Sequence, residues 1–118
     1  MEGIQLATQI KEISGYKILH LEGEIDVYTA PAFKAAITEL LDQDIPHLIV
    51  DMSNVSYMDS SGFGVLISAT KRLAPKEGTV NLVKCSTSIE RVLGITKLDT
   101  IFYCRKNMQE ALDAIGVK

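Results

Sequence analysis

The apolar residues of the chain repeat with two different periods, and the switches between them predict an order of elements. Up to residue 25 the repeat is that of a half-buried strand: Ile4, Leu6 and Ile10 share one parity, and Leu19, Leu21 and Ile25 share one parity of the next segment. Ser14-Gly15 between them is a turn signal, so the chain is expected to open as an antiparallel hairpin or the start of a meander. After Asp26 the period lengthens, with Phe33, Ala36, Ile37, Leu40 and Leu41 on one face of a helix. Thr29 is its expected N-cap, and Pro31 sits in the first turn, where a missing N–H does no harm. The stretch from Asp42 to Pro46 ends it.

The apolar run within His47 to Met52 suits a strand covered on both faces, as a βαβ unit supplies. It leads towards residues 57–64, YMDSSGFG, and then to Leu66, Ile67 and Leu73 at helical spacing, with Lys71 and Arg72 near the C-terminal end, where the helix dipole favours cations. Thr79 to Val83 reads as a short strand. Thr87 with Glu90 fits the capping box of a short helix ending at Gly94, and Ile101 to Tyr103 is a candidate last strand. Asn107 and Glu110 open a terminal helix whose apolar stripe is Met108, Ala111, Leu112 and Ile115 and whose stop is Gly116. The predicted fold class is α/β. Its mixed sheet of four to five strands starts antiparallel, continues through parallel crossovers in the order ββαβαβαβα, and is covered by about four helices. Residues 1–118 are expected to form a single domain, with no internal repeat and no low-complexity linker.

Composition narrows the function classes. With 47% hydrophobic and 23% charged residues over 118 positions, the chain is ordinary globular protein, long enough to bury a core without staples. A formal net charge of −3, with scattered basic residues, excludes the broad basic footprint that binding a phosphate backbone requires, so no nucleic acid is expected. There is no basic segment leading into an apolar stretch at the N-terminus and no apolar run of membrane-spanning length, which makes a cytoplasmic location without membrane contact the expectation. Cys85 and Cys104 lack Cys-x-x-Cys spacing and a nearby histidine. They read as reduced core thiols, and no metal site is expected.

The chemistry concentrates in YMDSSGFG. Each Gly inside a helix costs about 1 kcal/mol relative to Ala, so Gly62 and Gly64 call for an offsetting use. A nucleophile elbow would need a Gly two places before the serine, where Met58 stands before Ser60, and the only histidines, His20 and His47, fall in strand patterns. A phosphate-binding loop would need a Lys that does not follow, and Asp59 would repel the phosphate. A cap by Asp59 or Ser60 accounts for the acid and the hydroxyls but leaves the glycines unexplained. The reading that uses more of the stretch makes Ser60 an acceptor at a helix N-terminus, modified by another protein. Gly62 and Gly64 then admit a close approach, and Phe63 anchors a contact. Asp26 is either a turn residue before Thr29 or part of the same surface.

With this order of elements, the stretch N54-V-S-Y-M-D-S-S-G-F-G-V-L66 resembles the signature of the STAS domain family, most closely its anti-sigma factor antagonists, and G23-E-I-D26 resembles the family's turn between second strand and first helix. The resemblance covers nearly the whole chain, with Phe63 standing where relatives often have Leu. It implies that Ser60 is phosphorylated by a partner that is both anti-sigma factor and GHKL-type serine kinase. It implies further that the unphosphorylated form binds that partner and frees its sigma factor, and that phosphorylation blocks binding until a metal-dependent serine phosphatase removes the phosphate. Asp26, Asp59, Ser61, Gly62, Phe63 and Gly64 are then expected to form the partner-binding surface around Ser60. The chain itself would hold no cofactor and catalyse no step. The alternatives are a STAS scaffold or accessory subunit of a signalling or transport complex without a serine switch and, more remotely, a small hydrolase using Ser60.

Overall fold

The computed structural model describes residues 6–116. Strands β1 (Ala7–Ile13) and β2 (Tyr16–Ile25) form the expected hairpin; helix α1 (Ala30–Leu41), strand β3 (His47–Met58) and helix α2 (Ser60–Leu73) follow. Strand β4 (Thr79–Val83), helix α3 (Thr87–Ile95), the short strand β5 (Tyr103–Arg105) and helix α4 (Met108–Gly116) complete the order. The hairpin loop is Ser14-Gly15, with φ of 54° and 85°. Two left-handed residues are what a two-residue turn needs to match the twist of its strands, and they set the register of Ile13 opposite Tyr16.

The five strands lie in the order β1-β2-β3-β4-β5, antiparallel between β1 and β2 and parallel thereafter. Alternation along the strands divides the interior into two layers. Leu19 and Leu21 of β2, Leu48 and Val50 of β3 and Leu82 of β4 pack with Phe33 and Leu40 of α1, Leu66 and Leu73 of α2 and Leu93 of α3. Ile18, Ile49 and Val83, on the intervening positions, meet Ala111 of α4 on the opposite face. Helices on both faces make the central strands apolar at successive residues, which is why the run in β3 does not alternate.

Several boundaries differ from the sequence reading. Strand β3 runs on to Met58, well past the expected Met52, because it carries register shifts where His20 and Glu22 of β2 face Asp51 and Asn54, and where Gly23 and Glu24 face Val55 and Tyr57. Each shift inserts an extra residue into β3 and breaks the period of two that would have announced a strand. Helix α3 is capped by Ser86, whose Oγ accepts from Ile89 N at 3.2 Å; Thr87 is already helical, and the helix ends at Ile95 rather than Gly94. The last strand lies two residues later than expected, since Ile101 closes a 3-10 turn over Leu98–Thr100. At α4 the expected start holds, with Asn107 Oδ1 accepting from Glu110 N at 2.8 Å. Ile4, placed in the first strand pattern, lies outside the described residues. Among the described residues no helix is long and apolar enough to cross a membrane.

One buried-edge pair ties β2 to β3. His20 Nδ1 lies 2.8 Å from Asp51 Oδ2 across directly paired residues, and Asp51 Oδ1 accepts from Ser53 N at 3.0 Å and Ser53 Oγ at 2.7 Å. Partial burial pushes the Asp51 carboxyl up, but the hydrogen bonds from Ser53 and His20 outweigh it and hold the group below its ordinary range. A carboxyl depressed in the folded state contributes stability above its unfolded pKa and loses it as pH falls through the native value. Asp51→Asn is therefore expected to be less stable than wild type at about pH 5, with a narrower gap at about pH 2.5. Urea melts at the two pH values check this; a gap of equal size at both would show that ionised Asp51 adds nothing.

Candidate functional site

Strands β2 and β3 are parallel neighbours, so the turns that lead from them into α1 and α2 emerge together at their C-terminal ends, the usual place for binding surfaces in α/β sheets. Asp59 N donates to Ile25 O at 3.1 Å, continuing the pairing of Ile25 with Met58 and fixing one turn beside the other. Within β2, Gly23 adopts a φ of 129° at the second register shift, a conformation that side chains rarely accept.

The turn from β2 to α1 is built by Asp26. Its Oδ1 accepts from Tyr28 N at 2.9 Å and Thr29 N at 3.0 Å, an Asx-type turn that closes the chain on itself. Thr29 occupies the N-cap position as expected but makes no side-chain cap bond. Its hydroxyl instead donates to Glu24 O at 2.8 Å and accepts from Asp26 N at 2.9 Å, stitching the helix entry to the strand end. The tight turn leaves Val27 64% and Tyr28 87% exposed at its tip.

The turn from β3 to α2 is built by Asp59, extended at φ −102° and ψ −170° as the N-cap of α2. Its Oδ1 accepts from Ser61 N at 2.9 Å and also from the Ser61 hydroxyl. The Ser61 hydroxyl is the main reason that the Asp59 carboxyl titrates below its usual range, with backbone N–H groups adding to it against a smaller effect of desolvation. The two hydroxyls of DSSG are thus unequal. Ser61 is half-buried and tied to Asp59, whereas Ser60 is exposed at the first position of α2, where among the described residues no side-chain partner engages its hydroxyl.

The two glycines are unequal as well. A Cβ on Gly62 would stand 2.6 Å from Met58 Cγ and 2.7 Å from Ile25 Cγ2, so its missing side chain lets α2 lie close on the ends of β2 and β3. Gly64 has nothing within 4 Å of such a Cβ and is exposed. Phe63, at 6% exposure, points into the core. The expectations that Gly62 opens a path for a partner and that Phe63 anchors one are corrected accordingly: both support the surface from beneath, because the helix face that carries them is the one packed on the sheet. Asp26, Asp59, Ser60, Ser61 and Gly64 remain at or near the surface.

Tyr57, 49% exposed, lies on the β3 residue paired with Glu24, close in register to the strand end from which Val27 and Tyr28 follow. These residues were not singled out from the sequence. A signal existed, since apolar side chains in a turn and at a bulged strand end have no core to enter. Exposed aromatic residues beside a polar centre are the composition of protein-binding surfaces. His20 is paired with Asp51, His47 hydrogen-bonds Thr79 Oγ1 at 2.7 Å at the start of β3, and neither lies in the turns that carry Ser60. Among the described residues no group of three His, Cys, Asp or Glu side chains is placed to hold a metal ion.

Comparison with known proteins agrees with the fold. The model of the STAS domain matches residues 7–111. An anti-sigma-B factor antagonist of Listeria monocytogenes is 35% identical over 99 residues, 83% of this chain and 87% of that protein. One of Staphylococcus aureus is 30% identical over 87 residues, 74% of this chain and 81% of that protein. Among solved structures, the crystal structure of an anti-sigma factor antagonist from Mycobacterium paratuberculosis has a TM-score of 0.86 and 28% identity, covering 95% of each chain.

Proposed function

The chain belongs to the STAS domain family, and on that premise we propose that it is an anti-sigma factor antagonist switched by phosphorylation of Ser60. The unphosphorylated form binds an anti-sigma factor that is also a GHKL-type serine kinase and releases the sigma factor held by it. Phosphorylation blocks binding, and a metal-dependent serine phosphatase reverses the block. The names of the relatives support the antagonist role, and the observation that carries the switch is the free, exposed Ser60 beside a Ser61 engaged by Asp59.

A phosphate on Ser60 adds about −1.5 to −2 charges at the start of a helix, where an anion gains about 0.3 to 1 kcal/mol from the dipole. Asp59, ionised and adjacent, opposes that gain. The two effects are small and of opposite sign, so the fold is retained and the switch acts on docking. Val27, Tyr28 and Tyr57 supply apolar contact, Gly64 admits close approach, and Asp26 and Asp59 hold the two turns in register. The kinase supplies nucleotide, metal and catalytic groups, so none is required of this chain.

Incubation with ATP and candidate anti-sigma kinases, followed by mass spectrometry of the peptide containing both serines, tests the assignment. Phosphate is expected on Ser60 alone. Phosphate on Ser61, or on neither serine with any kinase that binds the protein, would overturn it and favour a STAS scaffold role.

A further inference from the structure

Cys85 and Cys104 are distant in sequence and adjacent in the fold. Cys104 is the middle residue of β5 and pairs with Leu82 of β4, while Cys85 follows β4 after Lys84, whose φ of 59° turns the chain where the strand ends. Lys84 N still donates to Arg105 O at 3.0 Å, so the turn that leads to Cys85 stays latched to the residue after Cys104. Both thiols are free, half-buried and packed against the same core cluster. From this placement we infer that Cys85 and Cys104 form an intramolecular dithiol that closes to a reversible disulfide when a peroxide is present, a modification site separate from the Ser60 surface.

The pair is chemically asymmetric in the way such a reaction needs. Contact with the Cys85 thiol is the main influence drawing the Cys104 thiol down, with help from the Arg105 guanidinium and against burial, Glu90 and Asp99. The same contact, with burial, pushes the Cys85 thiol up. Cys104 is therefore the group that reaches the thiolate first and attacks, and Cys85 is the resolving thiol. The Cys104 sulfur displaces hydroxide from the peroxide, the O–O bond breaks, and the hydroxide takes up the proton that Cys104 had lost and leaves as water. The Cys85 sulfur then attacks the resulting sulfenic acid; the S–S bond forms, the S–O bond breaks, and the hydroxyl leaves with the Cys85 proton as a second water. Two electrons pass from the two sulfurs to one peroxide, and a dithiol reductant returns them. In a reducing compartment the pair rests as thiols, so the disulfide reports oxidant rather than holding the fold together. Once closed, it staples the excursion through α3 and the following 3-10 turn at its base.

The test treats the reduced full chain with hydrogen peroxide and reads intact mass and a non-reducing peptide map. The expected result is a loss of about 2 Da, a cross-linked peptide joining Cys85 to Cys104, and full reversal by dithiothreitol. In Cys85→Ser and in Cys104→Ser the mass loss and the intramolecular cross-link should both vanish. Should either variant fold poorly, the wild-type map decides alone. Unmodified thiols at peroxide levels that oxidise free cysteine, separate oxidation of each sulfur, or a disulfide only between two chains would each overturn the inference.

Discussion

Ser60→Asp should bind the cognate anti-sigma factor roughly thirty- to several-thousand-fold more weakly than wild type, the range expected when a charge is buried in an interface without a matched partner. Ser60→Ala should bind like wild type and accept no phosphate. The asymmetry follows from the site. Ser60 is exposed and, among the described residues, its hydroxyl has no side-chain partner, so removing it strands no donor or acceptor there, whereas a carboxylate at that position adds to the charge of Asp59 on the docking surface proposed above. Thermal or urea unfolding of both variants should stay within about 0.5 kcal/mol of wild type, as for ordinary surface substitutions. Calorimetric titration against the partner is the deciding measurement. Equal affinity of wild type and Ser60→Asp would place Ser60 outside the interface, and a lost affinity accompanied by a lost fold would move the switch from docking to stability.

Most of the architecture was legible because it rests on local chemistry. The spacing of Phe33, Ile37 and Leu40, the Ser14-Gly15 turn and the Asn107 start of α4 each follow from one residue's conformational preference or one face of one helix. What escaped depends on neighbours in space. Strand β3 looked six residues shorter because the extra residues near Asn54 and Tyr57 shift the side-chain parity, and only β2 alongside reveals them as bulges. The cap of α3 fell one residue early, on Ser86, since a serine and a threonine side by side offer two equivalent starts. At the site, Ser60 was named as the acceptor from its place at the helix start and again by resemblance to the STAS signature; the physical distinction from Ser61, which is held by Asp59, is a matter of side-chain geometry that no spacing encodes. Asp26 could be read either as a turn residue or as part of a surface. It builds the turn, and by doing so it sets Val27 and Tyr28 at its tip.

The glycine pair supplies a test in which two similar substitutions act in opposite directions. Gly64→Ala is expected to stabilise the protein by about 0.5 to 1 kcal/mol, because the position is helical, exposed and open, and Ala restricts the unfolded chain more than Gly does. Gly62→Ala gains the same helical preference and meets an obstacle that outweighs it. The new methyl would overlap Ile25, a stiff β-branched side chain that is fully buried, and Met58, which can yield only by moving into a filled core. Overpacking of this kind costs about 1 to 3 kcal/mol, so the variant should melt below wild type. Urea midpoints at unchanged slope measure both effects on the same scale. Partner binding separates the roles further. Gly64→Ala should lose affinity despite its greater stability, because a methyl at the open position blocks the approach proposed for the partner, and retained affinity would remove Gly64 from the docking surface. Gly62→Ala should lose affinity only in step with its stability, since the methyl points inward; a variant as stable as wild type that no longer binds would show that the helix had shifted on the sheet and carried Ser60 with it.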